Sequence, residues 1–189
     1  MYLTIRIHYS FNFKTQYFVL LSLLVVDSIL GNSYQGKCKE KITFAKENNT
    51  LSRLFLSRTQ MEKSHFRTET EDGLEIGLSL EPGTVLHNGD VIEVNSNLVV
   101  IHQLPEKVLR VMINERDWSP NLLVQLGHII GNRHRPLSIA SDGSILFPIH
   151  DETEIELFKQ LFSDIIDHLS LHVEDEIFVP NEGMNVHEH

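Results

Sequence analysis

The stretch Leu126-Gly127-His128-Ile129-Ile130-Gly131-Asn132-Arg133-His134-Arg135-Pro136 is the turning point of the chain. An apolar helix runs out here, and Gly131 is expected to be the left-handed residue that closes it, since glycine takes positive φ without a Cβ penalty. Pro136 forbids the helix from resuming and biases Arg135 towards extended backbone, so a strand should begin almost at once. His134 is therefore held on a short, stiff connection. A neutral imidazole there suits a divalent metal of the borderline class, meaning nickel, copper or zinc. A lone histidine near a turn is more often an ordinary surface residue, so the turn alone assigns no site.

Working outward, Ser119-Pro120 is a good helix start, with serine as cap and proline in the first turn. Leu122, Leu123, Leu126, Ile129 and Ile130 recur at three- and four-residue spacing and give that helix a buried stripe. Before it, Val108 to Ile113 reads as a strand. After it, Leu137 to Ala140 and Ser144 to Pro148 flank the turn Ser141-Asp142-Gly143 as a hairpin. Asp151 with Glu154 resembles a capping box and starts a second helix. Phe158, Leu161, Phe162, Ile165, Ile166 and Leu169 form its core face, and Leu171 and Val173 alternate into a last strand. The order β-α-β-β-α-β predicts a ferredoxin-like unit, an antiparallel sheet with both helices on one face.

The first half changes character before Pro105. Ser52 to Ser57, His65 to Thr68, Leu74 to Leu80, Val91 to Val94 and Leu98 to Ile101 read as strands, punctuated by Glu71-Asp72-Gly73, Pro82-Gly83 and Asn88-Gly89-Asp90. An all-β domain of two small packed sheets is expected there, so the chain as a whole is α+β. The expected layout is an N-terminal extension over 1–22, an all-β domain over 23–104, the ferredoxin-like domain over 105–179, and a flexible tail over 180–189 that carries histidines.

Net charge and cysteine content narrow the chemistry. A charge of −10 over 189 residues argues against a surface that tracks nucleic-acid phosphates. Cys38 is the sole cysteine, so an intrachain disulfide and cysteine-rich zinc modules are excluded, leaving imidazole and carboxylate as ligands. Phe18 to Val26, with Arg6 and Lys14 before it, resembles the layout of an export signal. The apolar run is too short to span a bilayer, and Asp27-Ser28-Ile29-Leu30 makes a poor cleavage site. Residues 1–22 are read instead as an upstream extension outside the fold, and the protein as cytoplasmic with no membrane partner.

Gly131-Asn132-Arg133-His134 followed by Pro136-Leu137 is similar to the signature of the urease accessory metallochaperone family UreE. Leu24 to Asn32 resembles the usual start of that family, and Pro82-Gly83-Thr84 with Asn88-Gly89-Asp90-Val91 resembles its midsection. The resemblance covers the chain from about Leu24 to its end, in the family's order. It implies a protein that binds Ni2+ and delivers it to apo-urease, with Zn2+ or Cu2+ able to substitute in vitro. It also implies a first domain that docks on urease or binds peptide, and partners among the other urease accessory proteins, including the GTPase of the nickel-insertion complex. The first domain's residues alone fit a passive scaffold equally well.

Within that resemblance His134 is the expected metal ligand. His187 and His189, in Val186-His187-Glu188-His189, are a second source of imidazole on the tail. His150 is a lesser candidate, at a place where some family members carry a surface histidine. His128 is read as a packing or supporting residue, and the other histidines as surface or strand positions. No serine or cysteine elbow and no H-E-x-x-H helix stands in the chain, so no enzyme is expected. One stiff ligand per chain is too few for a catalytic metal site, which takes three. The shortage suits transport and points to a homodimer whose symmetry repeats His134. A general metal-binding or storage protein, unconnected with urease, is the alternative.

Overall fold

The computed structural model describes residues 23–114, 116–117 and 119–184. It divides into two compact units, one ending at Gln103 and one beginning at Leu104.

The first unit contains β1 (Leu24–Val26), β2 (Gly31–Asn32), α1 (Gly36–Glu47), β3 (Leu51–Leu56), α2 (Arg58–Met61), β4 (His65–Glu69), β5 (Glu75–Ser79), β6 (Asp90–Val94) and β7 (Asn97–Gln103). These make a three-stranded sheet of order β1-β5-β4 and a four-stranded sheet of order β2-β6-β7-β3. Alternation along the strands decides the packing. Leu54, Leu56, Ile92, Val94, Val99 and Ile101 join Ile76 and Leu78 of the other sheet in one core. The intervening Val91 and Val100 are buried with Cys38 of α1 on the opposite side of the four-stranded sheet.

The expectation of strands and turns alone is thus corrected by α1. Lysines and glutamates stand on most sides of this helix, and its apolar stripe is narrow, made of buried Cys38 and Ala45 with half-buried Ile42 between them. Its residues favour the helix intrinsically, and Cys38 with Ile42 seats it against Val91 and Val100.

The two stretches of this unit that resemble family motifs meet in space. β2 pairs with β6 through Gly31↔Val91 and Asn32↔Asp90. The Asn32 side chain donates to Asp90 Oδ1 at 2.9 Å and to the Asn88 carbonyl at 3.1 Å. Gly89 has φ +88, and a Cβ there would lie 2.5 Å from Tyr34 Cε2. These residues are a structural clasp.

The second unit contains β8 (Glu106–Ile113), α3 (Pro120–Gly131), β9 (Ser138–Ile139), β10 (Ile145–Pro148), α4 (Glu154–Leu161) and β11 (Leu169–Glu176), with a 3-10 turn at Ile166–His168. The sheet order is β11-β8-β10-β9 and every pairing is antiparallel. This is the ferredoxin-like arrangement. Leu109, Val111 and Phe147 of the sheet are buried with Leu122, Leu126 and Ile130 of α3 and with Phe158 of α4, followed by Phe162. Both helices therefore cover one face. Phe158 lies between Phe147 and Phe162, with ring centroids 4.6 and 5.8 Å away.

On the other face Arg110 ties the strands together. It donates to Glu174 and to Ser144 Oγ, each at 2.5 Å, and to Glu176 at 3.4 Å. Ser144 in turn donates its hydroxyl and its main-chain N–H to Asp142 Oδ1, at 2.6 and 2.9 Å. Those two bonds hold the Asp142 carboxyl below its ordinary value, with Arg110 adding a weaker pull in the same direction. No helix among the described residues is long and apolar enough to cross a membrane.

Candidate metal centre

α3 delivers His134. The Ser119 hydroxyl accepts the Leu122 N–H at 3.2 Å, and Pro120 opens the helix. Leu122, Leu126 and Ile130 anchor one side of it in the core. The end differs from the expectation in one respect. Gly131 is the last helical residue and lacks a positive φ, and Asn132 after it is right-handed. The left-handed residue is His134 itself, at φ +51.

Successive N–H groups wind the turn down. Asn132 donates to the His128 carbonyl, Arg133 to Ile130 and His134 to Gly131, each at 3.0 Å. A Cβ at Gly131 would meet nothing within 4 Å, so space imposes no glycine there. A left-handed conformation costs a side-chain-bearing residue about 1 kcal/mol, which the surrounding hydrogen bonds and packing must offset. His134 is exposed, whereas Arg135 is half-buried and Pro136 buried. The turn therefore leaves His134 at the surface while the two residues after it bind inward.

Arg135 and Glu154 are the inward fastening. They form an ion pair with both side chains 18% exposed. The other Glu154 oxygen accepts the main-chain N–H of His150 at 2.7 Å. Asp151, expected to share a capping box with Glu154, instead accepts the N–H of Thr153 at 2.8 Å and its hydroxyl at 2.5 Å. Those bonds hold the Asp151 carboxyl below its usual range. Thr153 is the residue at the cap position, and its side chain makes no capping bond.

His150 is thereby brought beside the residue that follows His134. Arg135 Nη1 lies 3.3 Å from His150 Nε2. Arginine can only donate, so Nε2 is the acceptor and its lone pair faces a positive charge. His150 gains a free donor atom for a metal only when Arg135 moves away. His128 is exposed rather than packed. Its Nε2 lies 3.0 Å from the Asn132 amide nitrogen, so it supports the end of the helix.

The segment after β11 returns to the same place. Asn181 N donates to the Leu137 carbonyl at 2.9 Å, and Leu137 N donates to the Met184 carbonyl at 3.1 Å. Ile139 N donates to the Asn181 side-chain oxygen at 2.5 Å. Residues 181–184 thus lie along β9, the end strand of the sheet, and satisfy main-chain groups that this edge would otherwise present to solvent. His187 and His189 lie outside the described residues, as does the expected extension over 1–22. Among the described residues no group of three or more His, Cys, Asp or Glu side chains is gathered as a metal site requires.

Sequence reasoning missed Arg135, Glu154 and Asn181. The first two are an unremarkable arginine and a helix-start glutamate until the fold sets them side by side. Asn181 acts through a strand more than forty positions away, for which local sequence carries no signal.

Known proteins resemble the chain along most of its length. The model of the UreE urease accessory protein N-terminal domain matches residues 26–103. A urease accessory protein UreE from Nostoc sp. is 32% identical over 140 residues, covering 72% of this chain and 86% of the relative. One from Nostoc punctiforme is 32% identical over 116 residues, covering 57% and 76% respectively. One from Yersinia aldovae is 31% identical over 121 residues, or 59% of this chain and 51% of that longer protein. The Nostoc sp. match runs well past the N-terminal domain, and by the breadth of that match this chain belongs to the urease accessory protein UreE family, whose members assist urease rather than catalyse a reaction themselves.

Proposed function

We propose that this protein binds Ni2+ and delivers it to apo-urease while the enzyme's active site is assembled. The observation that carries the reading is His134, an exposed imidazole on a left-handed turn, followed directly by half-buried Arg135 and buried Pro136. Strained backbone clusters at functional sites, and His134 is the only histidine among the described residues that has it. A single such donor binds metal weakly, and weak or shared ligation suits a cargo that must be released.

The missing donors come from symmetry. In a homodimer related by a two-fold axis, the same residue appears twice at the axis without any further sequence. His134 of each chain would hold the ion there, and His187 or His189 would complete its shell. His150 contributes only in a state where Arg135 has withdrawn. Zn2+ and Cu2+ are expected to compete in vitro, since imidazole sites follow the general affinity order of divalent metals. Selectivity then comes from the delivery complex, formed in the cytoplasm with apo-urease and the other accessory proteins, including the GTPase of nickel insertion. The first unit is the part that docks on them.

Transfer is the test. Nickel-loaded protein should activate purified apo-urease in the presence of the accessory complex, and His134→Ala should not. A protein that binds nickel tightly yet gives none to apo-urease would be a storage protein instead.

A further inference from the structure

We propose that the groove between α1 and the β6–β7 hairpin is a docking site for an arginine side chain on a partner protein. The site rests on the reading of the first unit as the part that docks, and nickel has no role in it. Glu40, Lys41 and Phe44 of α1 line this groove together with Glu93, Ser96 and Leu98 of the hairpin, around a space of about 400 Å³. Glu93 and Leu98 are register partners on the side of the sheet that carries Val91 and Val100, so a carboxylate and an aliphatic surface stand together. The two-residue turn between the strands has Asn95 at φ +49 and Ser96 at φ +64. Glycine is the favoured second residue of such a turn, so Ser96 keeps a side chain on the lining at a backbone cost.

Charge and surface chemistry name the occupant. Phe44 is 68% exposed, an apolar ring held in water at the edge of the groove. Glu40 and Glu93 have no ion-pair or side-chain hydrogen-bond partner among the described residues, and Lys41 is the cation set against them on the lining. The lining is therefore net negative and suits a cation carried on an apolar stem. A guanidinium pairs with carboxylates through its planar fork, stacks on an aromatic face, and lays its aliphatic stem on a residue such as Leu98. An ammonium is more strongly hydrated and lacks the plane. The chain already holds this arrangement once on the same side of the sheet. Arg53 lies over the Phe55 ring at 5.9 Å and pairs with Glu71 at 2.9 Å.

The experiment is a nickel-free titration of the isotope-labelled full chain with a capped Gly-Arg-Gly peptide, followed by amide NMR shifts. The same peptide with lysine, citrulline or glutamate in place of arginine, and free L-arginine, are the controls. Shifts should gather in α1 and the β6–β7 hairpin and saturate with the arginine peptide. Binding should be at least about threefold weaker with lysine or citrulline and absent with glutamate. Phe44→Ala and Glu93→Gln should each weaken it about three- to tenfold. Lys41→Gln should strengthen it about twofold, a gain that partial unfolding cannot produce. No saturation, shifts centred elsewhere, equal binding of the arginine and glutamate peptides, or parent-like binding by both Phe44→Ala and Glu93→Gln would overturn the proposal. Tighter binding of free L-arginine than of the peptide would make the groove a small-molecule site and overturn docking. Phe44→Ala should titrate with nickel as the parent does, so failure here leaves the metal reading standing, and failure of nickel transfer leaves the groove measured on its own.

Discussion

Arg135 and Glu154 pair side chain to side chain beneath the turn that carries His134, while the second Glu154 oxygen holds the main chain of His150. One carboxylate thus joins the connection after α3 to the start of α4. Both side chains are 18% exposed, so the pair is only partly screened by water. Removing the carboxylate strands a half-buried guanidinium and an N–H group together.

Glu154→Ala should therefore destabilise the second unit by about 1–3 kcal/mol, the scale for losing hydrogen bonds to a charged group. Glu154→Gln keeps a carbonyl acceptor for His150 N and should lose less. Urea denaturation of both variants checks the order. Equal stabilities for Glu154→Ala and the parent would show that the fastening carries no weight.

The left-handed backbone at His134 makes a prediction independent of any metal. His134→Ala and His134→Gly both remove the imidazole, but only glycine relieves the Cβ conflict at φ +51. His134→Gly should be the more stable of the two by about 1 kcal/mol, after allowing for its looser unfolded chain. Thermal melts of the metal-free variants measure the difference. A less stable glycine variant would contradict the strained turn.

Asp142 sets an acid limit. Its carboxyl is held below the ordinary value of 3.8, first by the Ser144 hydroxyl and then by the Ser144 N–H. A depressed folded value means the contribution is present above the unfolded value and is lost as pH falls from there through the folded one. Asp142→Asn should therefore flatten the fall in stability below about pH 4, leaving the pH dependence nearer neutrality unchanged. Denaturation midpoints collected from pH 6 to pH 2 read this directly. A parent-like acid slope in Asp142→Asn would rule the residue out.

The second unit was legible because several local signals agree there. Ser119 and Pro120 start α3 where caps predict, Leu122, Leu126 and Ile130 are buried at helical spacing, and the strand order follows. The first unit was legible in its strands but not in α1, whose charged sides hide the period that reveals a helix. At the site, His134 was visible as a residue type in a stiff turn, yet its conformation was not. Gly131 looked like the natural left-handed residue, and the fold placed that conformation three positions later. The clip at Asn181 is built from hydrogen bonds between distant main-chain groups, and no pattern in the neighbouring residues encodes them.

In the proposed dimer, His134 from two chains shares one metal ion on the two-fold axis. Nickel titration with simultaneous measurement of the mass of the assembly decides between this arrangement and one ion per chain. One tight nickel should bind per two chains and be absent in His134→Ala, with the dimer still intact in that variant. A tight nickel for every single chain, or a tight site that survives His134→Ala, would contradict it.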